Sequence, residues 1–348
     1  MSQQTSNTVW NLIKELAKKK GITEITINDE KHVFVEREGK FIQLQYPLVA
    51  EHLMQFAKDV AMINNRPIGE KNPILDGNLP DGSRINIIMP PYTPKLPAVT
   101  IRKYLRSIRR FDMDEYLFKL GPKWIEFLRS LINCKKNIVI SGGTGVGKTT
   151  FINLMLHEVN PNERLLIIED TRELSVQLPN IVQLEARQFQ KTAGSQLGIR
   201  DLVKNALRMR PDRIIVGEVR GEEIFDLLQA MNTGHEGSMC SIHANSTKEC
   251  LSRMETLYLM GTSDIPMVAV RKQIASSVDF IIQLKRNRNG ERTVDEILEI
   301  TGMEGGTFLT QSVAKREHDL LDFTGLAPRD FNELVQDGGL DKDFFMTF

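Results

Sequence analysis

The spacing of apolar residues divides the first third of the chain into short helices and strands. Apolar positions recur at helical spacing between Val9 and Lys20, and the pattern ends at Gly21. Beyond Gly21, apolar and polar residues alternate, which is typical of a small antiparallel meander. Residues 1–105 are therefore predicted to form a small α+β domain. Its predicted strands are Ile22–Asn28, His32–Glu38, Phe41–Gln45, Arg84–Met89 and Ala98–Ile101, and its second helix is Ala50–Asn64.

From Lys123 onwards, the pattern changes to nearly continuous apolar strands separated by helices. Such strands are buried on both faces, which is typical of a parallel sheet in an α/β domain, here residues 123–348. Residues 106–122 are predicted to be a linker, because the basic run Arg102–Arg110 is followed by acidic residues. The predicted strands are Asn137–Ser141, Arg164–Ile168, Arg213–Val216 and Gly237–His243, and the helices are Lys148–Glu158, Ile199–Arg208 and Glu222–Met231.

Composition and charge narrow the class of protein. Of the 348 residues, 41% are hydrophobic and 26% charged, as in ordinary soluble globular proteins. Lys+Arg and Asp+Glu both number 45, so no net charge draws the whole chain to nucleic acid or acidic lipid. Three widely spaced cysteines without a C-x-x-C pair fit a reducing compartment. Because there is no signal pattern and no apolar run near ~18 residues, a cytoplasmic location is expected.

One motif points to phosphate binding. Gly142, Gly147, Lys148 and Thr149 complete the pattern G-x-x-x-x-G-K-[ST] between a predicted strand and a predicted helix. Glycines let successive backbone N–H groups point at a phosphate, and the helix N-terminus adds positive potential. The ammonium of Lys148 is expected to contact the β- and γ-phosphates of ATP, and the hydroxyl of Thr149 to bind Mg²⁺. The predicted nucleotide-binding residues are Gly142, Gly143, Thr144, Gly145, Val146, Gly147, Lys148, Thr149 and Thr150.

Hydrolysis also requires a group that orients water, and two predicted strands end in acidic residues. Glu169 and Asp170 follow one strand, and Glu218 follows another. Ligands of open parallel sheets bind at the carboxyl ends of the strands, where the phosphate loop also lies. One such acid by itself is also consistent with a solvated strand end. Together with the phosphate loop, the three acids are candidates to face the γ-phosphate.

The segment from Gly234 to Asn245 contains two of the six histidines, His235 and His243. A zinc site is one interpretation, but a separation of eight residues without a cysteine pair does not match the usual ligand spacing. Packing or capping within the core is a second interpretation. The third, which is the better functional interpretation, is that both histidines sense or polarise the phosphate end of the site.

Together these segments resemble the secretion ATPases that power type II and type IV secretion and type IV pili. Four boxes match in order: the P-loop Gly142–Thr149, an aspartate box Ile167–Leu174, a Walker B segment Leu207–Gly221 with Gly-Glu in place of Asp-Glu, and a histidine box Gly234–Asn245. Three further segments are similar to the tight-adherence (Tad/Cpa) pilus-assembly branch: Leu75–Asn86, Val99–Lys103 and Ile297–Gly305. The resemblance covers roughly residues 8–340.

The resemblance implies a RecA-like P-loop NTPase core, a hexameric ring, and ATP held with Mg²⁺ between the two domains of each subunit. It also implies that Glu218 orients the attacking water and contacts Mg²⁺ through water. The other implied roles are assistance to Mg²⁺ and water by Glu169, Asp170 and Glu173, and a link between the γ-phosphate and domain movement by His235 and His243. The resemblance makes Arg84 and Arg102 candidates to contact phosphate, and Arg220 a further nucleotide-binding candidate. Alternatively, Arg208, Arg210 and Arg220 supply the phosphate contact from a neighbouring subunit or form interface ion pairs.

The resemblance favours an ATPase motor that assembles a Tad-type pilus or secretes protein. It would act with inner-membrane platform proteins, peripheral to the membrane. A type IV secretion ATPase for effector or DNA transfer is the nearest alternative. RecA-like motors also move on nucleic acid, but the neutral charge and the few Tyr and Trp residues argue against that partner. The last alternative is a scaffold ring that binds nucleotide without hydrolysis, and the intact Lys148 and Glu218 argue against it.

Overall fold

The chain forms two compact units, Met1–Ser107 and Ile108–Phe348. The computed structural model describes residues 7–37, 40–103, 110–111, 117–186, 197–262, 264–287, 289–317 and 319–346. Most of the predicted linker, residues 106–109 and 112–116, lies outside the described residues, and so do residues 104–109 of the basic run. The two units are described separately below.

The first unit is an antiparallel sheet with two helices packed into one hydrophobic core. Val9, Leu12, Ile13 and Leu16 form an apolar stripe at helical spacing, and they share this core with Leu53 and its neighbours on the second helix. The strands lie in the order β3-β2-β1-β6-β5-β4. The elements are α1 (Asn7–Lys18), β1 (Ile22–Ile27), β2 (Val33–Arg37), β3 (Lys40–Leu44), α2 (Ala50–Ile63), β4 (Ile74–Asn78), β5 (Arg84–Ile88) and β6 (Ala98–Arg102).

Strand β4 lies in the proline-rich stretch and is not predicted by the sequence pattern. It pairs with β5 and is also tied to the end of α2. The side-chain amide of Asn64 donates to the carbonyl of Asn78 (3.0 Å), and its Oδ1 accepts the N–H of Asn78 (2.8 Å). A Cβ at Gly77 would lie 2.5 Å from Asn64 Oδ1, so only glycine fits this approach. A long-range contact therefore fixes this strand.

The second unit is built on a nine-stranded sheet in the order β15-β14-β13-β12-β7-β11-β10-β8-β9. The strands from β12 to β9 in this order run parallel. The strands are β7 (Ile138–Gly142), β8 (Leu165–Glu169), β9 (Ile181–Glu185), β10 (Arg213–Val219), β11 (Met239–Ile242), β12 (Phe280–Arg286), β13 (Arg292–Glu304), β14 (Thr307–Glu317) and β15 (Leu320–Phe323). The helices are α3 (Pro122–Asn133), α4 (Lys148–Leu156), α5 (Ile199–Ala206), α6 (Glu223–Met231), α7 (Thr247–Met260), α8 (Met267–Ser277) and α9 (Phe331–Gln336).

The parallel strands are buried on both faces, as their continuous apolar runs predict. Ile138 and Ile140 of β7 belong to one hydrophobic cluster, whereas Val139 belongs to a second cluster on the other face. This alternation confirms the predicted α/β core, and the first unit confirms the smaller α+β domain. The prediction of a parallel sheet was incomplete, because β13, β14 and β15 extend it in antiparallel order.

The C-terminal part of the chain packs onto α3 through aromatic side chains. The indole N–H of Trp124 donates to the carbonyl of Leu321 (2.7 Å), and the ring of Phe127 stacks on Phe344 with centroids 6.0 Å apart. The ammonium of Lys136, just after α3, bonds Asp330 and Glu333 at the start of α9. The last strands and α9 are thus part of the core. Among the described helices, none is long and apolar enough to cross a membrane.

A buried ion pair fixes the edge of the sheet at which the parallel strands begin. Arg213, the first residue of β10, is 1% exposed. Its Nε and Nη2 bond the two carboxylate oxygens of Glu163 at 2.7 and 2.9 Å, and Nη2 also donates to the carbonyl of Ile132. A guanidinium suits this task, because its planar donors match both oxygens of a carboxylate. The pair joins β10 to α3 and to the loop before β8.

Arg213→Met is expected to lower the free energy of unfolding of the second unit by about 3 kcal/mol, because it leaves the carboxylate of Glu163 without its partner. This value is at the lower end of the range for broken buried pairs, since Lys135 lies 3.9 Å from Glu163. Urea unfolding followed by Trp124 fluorescence, in a Trp10→Phe background, measures the loss. Adding Glu163→Leu to Arg213→Met should restore most of the lost free energy of unfolding. If Arg213→Met alone is as stable as the parent protein, the prediction is wrong.

Candidate nucleotide-binding and active site

The P-loop segment joins the central strand β7 to α4 and closes around a buried valine. Gly145 and Gly147 have positive φ angles of 72° and 97°, which favour glycine. Val146 is 6% exposed and turns back into the core, and a Cβ at Gly142 would lie 2.6 Å from its methyl group. Thr144 is exposed at the outer end of the loop. The loop therefore has the strand–glycine–helix arrangement in which backbone N–H groups bind phosphate.

The side chains after the loop are held over it by hydrogen bonds. The ammonium of Lys148 donates to the carbonyls of Gly142 and Gly143, both at 2.9 Å. The hydroxyl of Thr149 donates to a carboxylate oxygen of Glu173 at 3.1 Å. Thr150 follows within the first turn of α4. A hydroxyl beside a carboxylate is the kind of oxygen donor set that Mg²⁺ prefers.

Glu173 is in turn placed by Glu169, the last residue of β8. One carboxylate oxygen of Glu169 accepts the backbone N–H groups of Glu173 and Leu174, both at 3.0 Å. Glu169 is 4% exposed, and a Cβ at Gly217 of β10 would lie 2.9 Å from its Cγ. The glycine of the Gly-Glu pair thus makes room for Glu169. The structure connects the aspartate box to Thr149 through Glu169 and Glu173.

Burial raises the pKa of Glu169 to about 7, although the two backbone N–H groups act in the opposite direction. Its second oxygen is buried without a hydrogen-bond partner among the described residues. Between the ordinary carboxyl pKa and pH 7, the folded chain holds this proton and the unfolded chain releases it. The contribution of Glu169 to stability therefore falls as the pH rises through that range.

Wild-type protein is expected to gain stability relative to Glu169→Gln when the pH is lowered from 8 to 5, by roughly 3 kcal/mol at most. Glutamine keeps the oxygen that accepts the two N–H groups but has no proton to gain. Urea unfolding of both proteins at the two pH values, read by Trp124 fluorescence in the Trp10→Phe background, gives the difference. If wild type and Glu169→Gln differ in stability by the same amount at pH 5 and pH 8, the prediction is wrong.

At the same sheet edge, Arg220 bridges two of the predicted acids. Its Nε donates to Glu218 at 2.9 Å and Nη2 forms a second bond to the same oxygen, while Nη1 lies 3.2 Å from Asp170. The Arg220 side chain is 57% exposed, so solvent screens these ion pairs. The guanidinium nevertheless sets the spacing of the two carboxylates. The structure thus brings Glu218 of β10 and Asp170, which follows β8, to one place.

The two histidines lie at opposite ends of β11. His243 follows the strand, and because Ile242 pairs with Ser141 of β7, it lies at the level of Gly142 in the P-loop segment. His235 precedes the strand, and its carbonyl accepts the hydroxyl of Ser238 at 2.7 Å. The parallel strands begin at that edge, so the structure does not bring His235 to the P-loop of its own chain. The predicted strand Gly237–His243 already separates the two histidines, and they were grouped because both belong to the histidine box.

The five predicted arginines lie in three places. Arg84 and Arg102 are register partners on β5 and β6 of the first unit. Arg208 and Arg210 are exposed just before β10, at the edge opposite the P-loop. Like His235, they are therefore not near the P-loop of their own chain. Of the three candidates in the second unit, Arg220 is the one that the structure places beside the predicted acids.

A cavity of about 490 Å³ lies beside the P-loop and was not predicted from the sequence. A Cβ at Gly147 would lie 3.0 Å from the ring of Phe118 and 3.1 Å from Cδ of Arg292, which places both side chains against the start of α4. The ring of Phe118 also packs edge-to-face on Phe151 of α4, with centroids 5.1 Å apart. The cavity is lined by Leu117, Phe118, Lys119, Arg286, Gly290, Glu291 and Arg292.

Comparison with known proteins agrees with this arrangement. The profile of one family, described as Type II/IV secretion system protein, matches residues 7–328. The chain belongs to the type II/IV secretion system protein family. The match spans both units, so the first unit and the nine-stranded second unit are parts of one family architecture.

The chain is also similar to individual conjugal transfer and secretion proteins. The conjugal transfer protein TrbB of Rhizobium radiobacter is 33% identical over 304 residues, which cover 86% of this chain and 90% of TrbB. The type IV secretion system protein VirB11 of Bartonella quintana is 32% identical over 313 residues, covering 79% and 87%. The ATPase DotB of Legionella pneumophila has a similar fold, with a TM-score of 0.61 at 18% identity, over 84% of this chain and 80% of DotB.

Proposed function

We propose that this family member is an ATP-hydrolysing motor of a type II/IV secretion or pilus machine. The observation that carries the proposal is the meeting of the P-loop with acids from two neighbouring strands. Thr149 is bonded to Glu173, and Glu218 lies with Asp170 at the same sheet edge. Phosphate binding alone would need only the P-loop. The acids supply groups that can orient water and hold a divalent cation.

The residues present fit Mg²⁺ bound with ATP. The donors are the hydroxyl of Thr149 and the carboxylates around it, and hard oxygen ligands of this kind suit Mg²⁺. In this proposal Thr149 binds the ion directly, Glu218 does so through water, and Asp170 and Glu173 hold water in place. Bound Mg²⁺ would neutralise charge on the phosphates. Glu218 is proposed to orient the attacking water, and Lys148 to leave its two carbonyl partners for the β- and γ-phosphates.

The cavity beside Gly147 is the proposed place for the nucleoside part of ATP. It lies next to the start of α4, where the phosphates are proposed to bind, and its lining combines the flat ring of Phe118 with the cations of Arg286 and Arg292. An aromatic face and guanidinium planes both stack on a nucleobase. This placement uses residues of the second unit alone.

A hexameric ring is proposed from the family and from the position of two arginines. Arg208 and Arg210 are exposed on the opposite edge of the sheet from the P-loop of their own chain. They can therefore serve a phosphate site only in a neighbouring subunit, where a guanidinium can stabilise the charge of the transition state. His235 shares that edge, whereas His243 is proposed to respond to the γ-phosphate within its own chain. Arg84 and Arg102, paired on the first unit, remain proposed phosphate contacts.

The motor is proposed to work at the cytoplasmic side of the inner membrane through platform proteins embedded there. Two kinds of cargo are supported by different observations. The segments Leu75–Asn86, Val99–Lys103 and Ile297–Gly305 support assembly of a Tad-type pilus. The names of the relatives TrbB and VirB11 support conjugal transfer or type IV secretion. Deleting the gene in its host separates them: loss of pili supports the first, and loss of transfer with normal pili supports the second.

The proposed function is tested with the purified full-length chain. Native mass spectrometry with and without ATP and Mg²⁺ should show a sixfold mass, and phosphate release should require Mg²⁺. A monomer that releases no phosphate under any condition would overturn the motor proposal. Adding single-stranded DNA should leave the rate unchanged, and a marked stimulation would favour a nucleic-acid motor instead.

A further inference from the structure

The turn that carries Arg220 is held by a buried carboxylate. Glu223 is the first residue of α6 and is 8% exposed. Its Oε1 accepts the backbone N–H of Arg220 at 2.6 Å and that of Gly221 at 2.9 Å. A Cβ at Gly221 would lie only 3.1 Å from the other oxygen, Oε2. One side chain therefore satisfies two successive N–H groups between β10 and α6 and fixes the backbone there.

The fixed turn determines where the guanidinium of Arg220 lies. Arg220 follows β10 directly, and its side chain reaches back to Glu218 and across to Asp170. The long, half-exposed side chain of an arginine has many rotamers, so its position depends on the backbone that carries it. A turn that moved by an ångström would move Arg220 away from the space between the two carboxylates.

The neighbouring glutamate provides a contrast. Glu222 is half-exposed, and its carboxylate forms an ion pair with Arg200 of α5 rather than with the turn. Arg200 is also bonded to Asp226 on α6 at 2.7 Å. Two adjacent glutamates thus have separate tasks: Glu222 joins α5 to α6 on the surface, and Glu223 holds the turn beside the predicted acids.

We infer that Glu223 is a positioning residue for ATP hydrolysis, acting through the Arg220–Gly221 turn on Glu218 and Asp170. This inference rests on the proposed function. In the ground state, ATP is held by the P-loop, which Glu223 does not contact. Its loss should therefore lower kcat much more than it raises KM, since an interaction used mainly in the transition state has been weakened.

A purely structural role would give a different result. A carboxylate at the start of a helix stabilises the helix dipole, so removing it would lower the melting temperature whatever the chemistry. The positioning role depends on an acceptor oxygen at this place and on Arg220. The effect of the acceptor oxygen and the effect of Arg220 on kcat can each be measured separately from the melting temperature.

The test compares Glu223→Met with Glu222→Met in full-length protein. Glu223→Met, which removes the acceptor at similar volume, should lower kcat about 10-fold or more, as loss of supporting hydrogen bonds does at other sites. KM for ATP should change less than about threefold, and Glu222→Met should retain wild-type kcat. Glu223→Gln keeps an acceptor oxygen and should recover most of the activity. In an Arg220→Ala background, Glu223→Met should lower kcat no further.

Each other outcome has a defined meaning. If folded Glu223→Met protein has the wild-type kcat, the inference is overturned. It is also overturned if Glu223→Met lowers kcat by the same factor in the wild-type and Arg220→Ala backgrounds. If Glu223→Met does not fold, Glu223→Asp keeps the charge but draws the acceptor oxygen away from the N–H groups of Arg220 and Gly221, and its unchanged kcat would equally overturn the inference. Wild-type protein that hydrolyses no ATP overturns the proposed function, and this inference with it.

Discussion

Glu218→Gln is expected to bind ATP normally and to hydrolyse it roughly 10³-fold more slowly. Glutamine has nearly the same shape and can still accept a hydrogen bond from Arg220, so the geometry at the end of β10 should persist. The substitution removes the negative charge that attracts the proton of the attacking water. Loss of such a group costs about 10²–10⁴ in rate. The affinity should change little, because the P-loop and Lys148 hold the phosphates.

Two measurements define this result. Phosphate release at saturating ATP gives kcat, and titration with a fluorescent ATP analogue gives the dissociation constant. Glu304→Gln, at the exposed end of β13, is the matched control and should behave as wild type. Retained turnover in Glu218→Gln would remove Glu218 from the water-orienting role. Asp170 and Glu173 would then be the acids to test.

Lys148→Ala is expected to weaken ATP binding by about 100-fold and to abolish measurable hydrolysis. The ammonium of Lys148 lies over the loop, bonded to the carbonyls of Gly142 and Gly143. When phosphate is present, those bonds are exchanged for charged ones, which contribute about 1.5–3 kcal/mol each. About 2.7 kcal/mol corresponds to a 100-fold change in affinity. Isothermal titration with ATP and Mg²⁺ measures it directly.

Lys272→Ala, an exposed lysine on α8, is the control for the loss of one positive charge. It should leave the affinity unchanged. Circular dichroism and Trp124 fluorescence must show that Lys148→Ala is folded, since the lysine also contacts the loop carbonyls. A folded Lys148→Ala protein that binds ATP within about threefold of wild type would contradict the assignment of the phosphate site.

The parts of the fold that local pattern determines were predictable. The strands β7, β8 and β10 are continuous apolar runs because both of their faces are buried, and that property is visible in the sequence. Strand β4 was missed because a contact with Asn64 fixes it. The strands β12 to β15 were missed because they extend the sheet through pairing at long range, β12 parallel to β7 and β13 to β15 in antiparallel order. Such pairing leaves a weak local signal.

The candidate site shows the same division. The P-loop and the acids at strand ends could be predicted because their chemistry is contained in short segments. Arg220 reaches Glu218 and Asp170 only because of the way the turn between β10 and α6 folds back. Glu223 holds this turn, and the spacing of residues in the sequence does not reveal either contact. His235 illustrates the converse: proximity in sequence to His243 suggested a shared role, but the four residues of β11 place the two at opposite edges.

The contact of Phe118 with Gly147 has a mechanical consequence. Phe118 lies near the start of the second unit in the chain, ten residues after Ile108, and its ring rests on the first turn of the P-loop helix. If bound nucleotide displaces this ring, then a load that displaces the ring must alter nucleotide affinity by the same free energy, because coupling between two sites is reciprocal. Through Phe118, a force on the chain segment that carries this ring would then change the affinity for ATP.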